Sequence, residues 1–169
     1  MRPIRHLKAL AAATAVVALT ATAVAAAADD IARGVGGAQL ALPTGWSKVN
    51  PASETRSDPR TLLVIGTDGA KPIESDCQVS SYRVPADGAM VVVIGWRDSV
   101  GGSSYLPLSG MKLRRGTFDC FPGRGAVGRL TRRDRDFQVN VLVGDRASDA
   151  TIDAALDAAR SLAVVSRTA

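Results

Sequence analysis

The sequence predicts an α+β domain: an antiparallel sheet of about six to seven strands with one C-terminal helix packed on it. Three observations lead there. Between residues 38 and 144, apolar residues alternate with a period of two or run continuously, and clusters of Pro, Gly, Asp and Ser separate the runs. Only the C-terminal end repeats its apolar residues at steps of three and four. No internal repeat or long linker divides the 169 residues, so one domain follows an N-terminal export segment.

Met1 to Lys8 is basic and Ala9 to Ala28 apolar. Small residues stand in the A-x-A relationship at Ala23 and Ala25, Ala25 and Ala27, and Ala26 and Ala28. Residues 1–28 are therefore expected to be a Sec-type signal peptide cleaved between Ala25 and Asp29, leaving no transmembrane segment and a secreted or extracytoplasmic protein. Arg2 and Arg5 are not adjacent, against the twin-arginine route, and no cysteine lies nearby for lipidation. The whole chain carries a net +5, but Arg2, Arg5 and Lys8 leave with the signal, so 18 basic residues face 16 acidic ones and +2 remains. Global basicity is thus no pointer to nucleic acid, which is not an expected partner. His6, the one histidine, leaves as well. Ser-His-Asp triads, Cys-His dyads and histidine-ligated metals are excluded, and no catalytic residue, metal site or cofactor is expected.

Residues 29–37 are polar and glycine-rich and read as a flexible lead-in; the single secreted domain spans 38–169. Ala38 to Leu42 is a first strand, ended by Pro43 and turned by Gly45 before Trp46. Asn50 to Arg60 is a loop. Thr61 to Thr67, with its continuous Leu62, Leu63, Val64 and Ile65, suits a strand buried on both faces. Gly69 to Asp76 is again a loop. Gln78 to Val84 and Ala89 to Arg97 flank Pro85, Ala86, Asp87 and Gly88, which predicts a hairpin. Met90, Val92, Ile94 and Trp96 face one way and Val91, Val93 and Gly95 the other, which makes that second arm a central strand.

After a Gly- and Ser-rich loop over 101–110, a second hairpin pairs Ala126 to Thr131 with Phe137 to Gly144 across Arg132 to Asp136. Phe137, Val139, Val141 and Val143 alternate with Gln138 and Asn140, so one face is expected buried and the other wet. The helix begins at a Ser148 cap and places Ile152, Ala155, Leu156, Ala159 and Leu162 on one side, with Asp153, Asp157 and Arg160 outside.

Cys77 and Cys120, an even pair in an exported chain, are expected to form a disulfide. Closing that loop stabilises by about 4 kcal/mol on the chain-entropy model. Gly123, Gly125 and Gly128 spell G-x-G-x-x-G but run into a hairpin rather than a helix, which removes the dinucleotide reading. Five loop carboxylates (Asp68, Glu74, Asp76, Asp98 and Asp119) supply the alternative function, an exported hydrolase using Glu74, Asp76 and Asp119 beside the cysteine pair.

Charge is uneven. Between Lys112 and Arg135 eight basic residues accompany only two acidic ones, Asp119 and Asp134, a local +6. The candidate ligand-binding face is Arg114 and Arg115 with the hairpin tip Arg132, Arg133 and Arg135, since guanidinium groups match phosphate and carboxylate bidentately. Asp134 and Asp136 oppose that field from within the tip. The function expected is that of an exported, non-catalytic binding or accessory domain contacting anionic envelope components, an anionic lipid or cell-wall polymer.

Leu42-Pro43-x-Gly45-Trp46 at the start of the domain, the strand-rich middle and a final helix running into Ser161-Leu162-x-Val164 resemble small exported actinobacterial proteins of the LpqN type. That family is in turn similar to the PsbP-like α/β sandwich. The resemblance covers the two ends of the domain. It implies a cell-envelope role without catalysis and transfers no functional residue.

Overall fold

The computed structural model describes residues 30–52, 58–79, 81–99, 106–115 and 120–165. The expected signal peptide and Asp119 lie outside them. In chain order the elements are β1 (Asp30–Arg33), a 3-10 turn (Val35–Gly37), β2 (Ala38–Leu42), β3 (Ser47–Lys48), β4 (Arg60–Gly66), β5 (Lys71–Pro72), β6 (Tyr82–Arg83) and β7 (Ala89–Gly95). A second 3-10 turn (Leu108–Gly110), β8 (Arg124–Arg132), β9 (Arg135–Val143), α1 (Asp149–Arg160) and β10 (Ala163–Val164) follow.

The class is α+β, with antiparallel sheets and one α-helix among the described residues, but the strands do not form one sheet. They divide into a five-stranded sheet in the order β3-β4-β7-β9-β8, a three-stranded sheet β1-β2-β10 and the pair β5-β6. The lead-in is the first departure from the sequence reading. Its residues pair with β2 from Asp30↔Leu42 to Arg33↔Gln39, because backbone hydrogen bonds need no apolar pattern, and Ala32 is buried beneath.

The second departure concerns the first hairpin. β7 is central, as its two-sided apolar pattern requires, yet its neighbours are β4 and β9 and not the Gln78–Val84 segment. The reason is chemical. Leu63, Val64 and Ile65 of β4 can cover both faces of β7, whereas Gln78, Ser81 and Arg83 cannot. That segment keeps only the short β6, paired with β5, and folds over the sheet to bury Val79 and Tyr82.

The five-stranded sheet is therefore covered on both sides. Its first face (Leu63, Ile65, Val91, Val93, Phe137, Val139, Val141 and Val143) packs on α1 and on Ala32, Ala38 and Leu40 of the small sheet. Its second face (Val64, Met90, Val92, Ile94 and Leu142) packs on Val49, Ala52, Val79 and Tyr82, with Trp96 and Phe121 at the margin. Gln138 and Asn140 were expected to face water on this second side, and both are buried, Asn140 completely. The covering loops exclude solvent there, and Gln138 Nε2 donates to Asn140 Oδ1 at 3.0 Å.

The helix follows its sequence pattern. Ser148 Oγ accepts from Thr151 N–H at 3.1 Å, and Ile152, Ala155, Leu156, Ala158 and Ala159 are buried while Asp153, Asp157 and Arg160 stay exposed. Cys77 and Cys120 are joined, with their Cα atoms 6.3 Å apart. Among the described residues no helix is long and apolar enough to cross a membrane.

Candidate functional site: an arginine-lined cleft

One end of the five-stranded sheet gathers arginines on its first face. The pairings Arg60↔Gly95, Gly95↔Phe137 and Phe137↔Leu130 set four residues in a row across β4, β7, β9 and β8. One step further out, Arg135 pairs with Arg132. Because side chains alternate along a strand, Arg135 shares the face of Phe137 and Arg132 that of Leu130.

Arg60 reaches the same face only through a bulge. Thr61 pairs with Ile94 but Leu63 with Val93, so Leu62 is an extra residue in β4. Without it, strict alternation from Leu63 would send Arg60 to the opposite side. The bulge turns Arg60 toward Phe137 and leaves both Leu62 and Leu63 in the helix-side core.

The β8–β9 turn is tighter than its sequence suggested, with two loop residues, Arg133 at φ 51° and Asp134 at φ 58°. Positive φ at both positions is a type I′ turn, where Asn-Gly is the favoured pair. An arginine in this left-handed region carries a backbone strain of about 1 kcal/mol.

The facing wall comes from the small sheet. A Cβ at Gly34 would run into the Leu62 carbonyl, so only glycine lets the β1–β2 connection lie this close to β4. Gly37, at φ +82°, accepts a hydrogen bond from Val165 N–H at 3.0 Å and thereby brings the C-terminal segment alongside. Between the walls is a cleft of about 750 Å³, lined by Arg60, Arg132, Arg133 and Arg135 with Val35, Gly36, Gly37, Phe137, Val164 and Val165.

The guanidinium groups of Arg60 and Arg135 converge. A Cβ built on Gly36 would lie 3.5 Å from Arg135 Nη2 and 3.8 Å from Arg60 Nη2. Arg135 is held in place, its guanidinium 5.2 Å from the Phe137 ring centroid and its Nε donating to the Trp96 carbonyl at 3.4 Å. Among the described residues no carboxylate lines the cleft. Asp136, expected to weaken the field of the tip, is buried on the opposite face, where it accepts from Ser99 Oγ at 3.2 Å and from Thr131 Oγ1. Asp134 remains exposed at the turn.

Of the five arginines singled out in the sequence, the fold brings Arg132, Arg133 and Arg135 together and sets Arg114 and Arg115 apart. Arg114 pairs with Gly125 at the start of β8. From there to Arg132 the strand runs about 23 Å. Arg60, Val35, Val164 and Val165 were missed, because a bulge within a continuous apolar run leaves no mark on the period and the lead-in shows no strand pattern. The hydrolase candidates Glu74 and Asp76 are exposed between β5 and β6, and Asp68 and Asp98 are exposed as well. Gly125 and Gly128 lie inside β8 with Gly123 just before it, so no helix amides follow this glycine run.

No known family model matches the chain, and no curated protein or solved structure matches it either.

Proposed function

We propose that this chain is an exported, non-catalytic binding domain that holds an anionic component of the cell envelope in the arginine-lined cleft. The observation that carries this reading is that four arginines line one cleft, with the Arg60 and Arg135 guanidiniums meeting beside Gly36 and no carboxylate among the described lining residues. Arginines gathered on one cleft are suited to a ligand that brings the opposite charge. The start of the chain supports export, and the Cys77–Cys120 bridge fits an oxidising compartment. Absence of histidine after residue 6 supports binding over hydrolysis.

The test is cosedimentation with vesicles containing phosphatidylglycerol, set against vesicles of phosphatidylcholine alone. The protein is expected to bind the anionic vesicles at low salt and to be released as added salt shortens the Debye length from about 10 Å toward 3 Å. Replacing Arg132, Arg133 and Arg135 together by serine should abolish retention. Equal binding to both vesicle types, or retention by the triple variant, would refute the reading.

A further inference from the structure

We infer that the cleft takes an amphiphilic phosphate, a phosphomonoester head carrying an alkyl chain, bound as a single molecule. This inference rests on the anion-binding reading and goes beyond it by assigning the second half of the site. The two walls differ in chemistry. The five-stranded sheet contributes the cations: Arg60 from β4, and Arg132, Arg133 and Arg135 from the β8–β9 hairpin. The small sheet and its neighbours contribute Val35, Val164 and Val165, and β9 adds Phe137 beside Arg135.

Val35 is 50% exposed and Val165 45%, and these are two of the few large apolar side chains in the described chain that face solvent. Both stand on the same cleft. A bare inorganic anion would satisfy the guanidiniums and leave these valines in water. A polyanion lying along the hairpin would also meet an apolar wall that offers it nothing. A head group bearing more than one negative charge and linked to an alkyl chain uses both walls at once, with bidentate contacts on one side and apolar burial on the other. The volume of about 750 Å³ falls within the range of small-molecule sites and exceeds the needs of a lone phosphate.

The experiment is a calorimetric titration of the purified protein with inorganic phosphate, butyl phosphate and octyl phosphate below its micelle-forming concentration, with neutral octyl glucoside as control. Octyl phosphate is expected to bind at least about tenfold more tightly than inorganic phosphate, butyl phosphate in between, and octyl glucoside not at all. The variant Val35→Ser with Val165→Ser, altering two exposed positions, should lose the dependence on chain length and keep its affinity for inorganic phosphate. If inorganic and octyl phosphate bind equally, the amphiphile inference falls while the anion cleft stands. If no phosphate binds and anionic vesicles do not retain the protein, the anion-binding reading falls with it. Octyl glucoside binding as tightly as octyl phosphate, or retention on anionic vesicles without uptake of monomeric octyl phosphate, would also overturn the inference.

Discussion

The two faces of β9 treat polar side chains in opposite ways. On the second face Asp136, Gln138 and Asn140 are buried and answer neighbouring groups: Asp136 takes Ser99 and Thr131, and Gln138 donates to Asn140. Asn140 Nδ2 is left there without an acceptor. On the first face, Arg135 with its neighbours Arg60 and Arg132 has no carboxylate partner among the described residues, and all three open onto a cleft. Polar groups that close on one another serve the fold, since an unmade buried hydrogen bond costs about 1–3 kcal/mol. Charges gathered beside a cleft and left uncompensated point outward, to something the chain does not itself supply. The same strand thus carries a structural and a functional polar surface, one residue apart.

That contrast can be broken by substitution. The larger expected effect is on the second face, where Asp136→Ala removes a buried carboxylate with its hydrogen bonds to Ser99 and Thr131 and should lower stability by about 2 kcal/mol in urea unfolding. Its affinity for octyl phosphate should not change. A loss of binding comparable to that of the arginine variants would show that the two faces are not separable.

A smaller effect of opposite sign belongs to the turn. Arg133→Asn places a residue that tolerates positive φ where an arginine is strained, and should stabilise the fold by about 1 kcal/mol while weakening anion binding several-fold. Thermal unfolding and titration of the same sample check both halves. Gain in stability with unchanged affinity would remove Arg133 from the site, and loss of stability would contradict the strain assigned to it.

The sequence revealed the parts whose signals are local. The Ser148 cap and the three-four spacing of Ile152, Ala155, Leu156 and Ala159 set the helix, and the two-sided pattern of Ala89 to Gly95 made β7 central. The cysteine pair was legible from parity and from the export that the N-terminal segment predicts. Pairing was not. Whether β7 joins Gln78–Val84 or β4 depends on competition between segments distant in sequence, and the β1–β2 pairing is made by backbone groups that every residue possesses. The candidate site was half visible for the same reason. Arg132, Arg133 and Arg135 lie within four residues, and proximity in sequence became proximity in space. Arg60 needed the Leu62 bulge, and Val35 and Val165 needed two chain ends brought side by side through Gly37. Arg114 and Arg115, near the hairpin in sequence, are carried to the far end of β8 by an extended strand.

The most direct test separates a site from a merely basic surface by holding charge constant. Two double variants, Arg60→Gln with Arg135→Gln and Arg114→Gln with Arg115→Gln, each remove two positive charges, and their affinities for octyl phosphate are compared at the same salt concentration. The cleft variant is expected to lose binding by at least about tenfold, at roughly 1.4 kcal/mol per tenfold, while the Arg114 and Arg115 variant binds as the parent does. Equal losses in the two would mean that net charge, and not the cleft at the end of the sheet, governs the interaction.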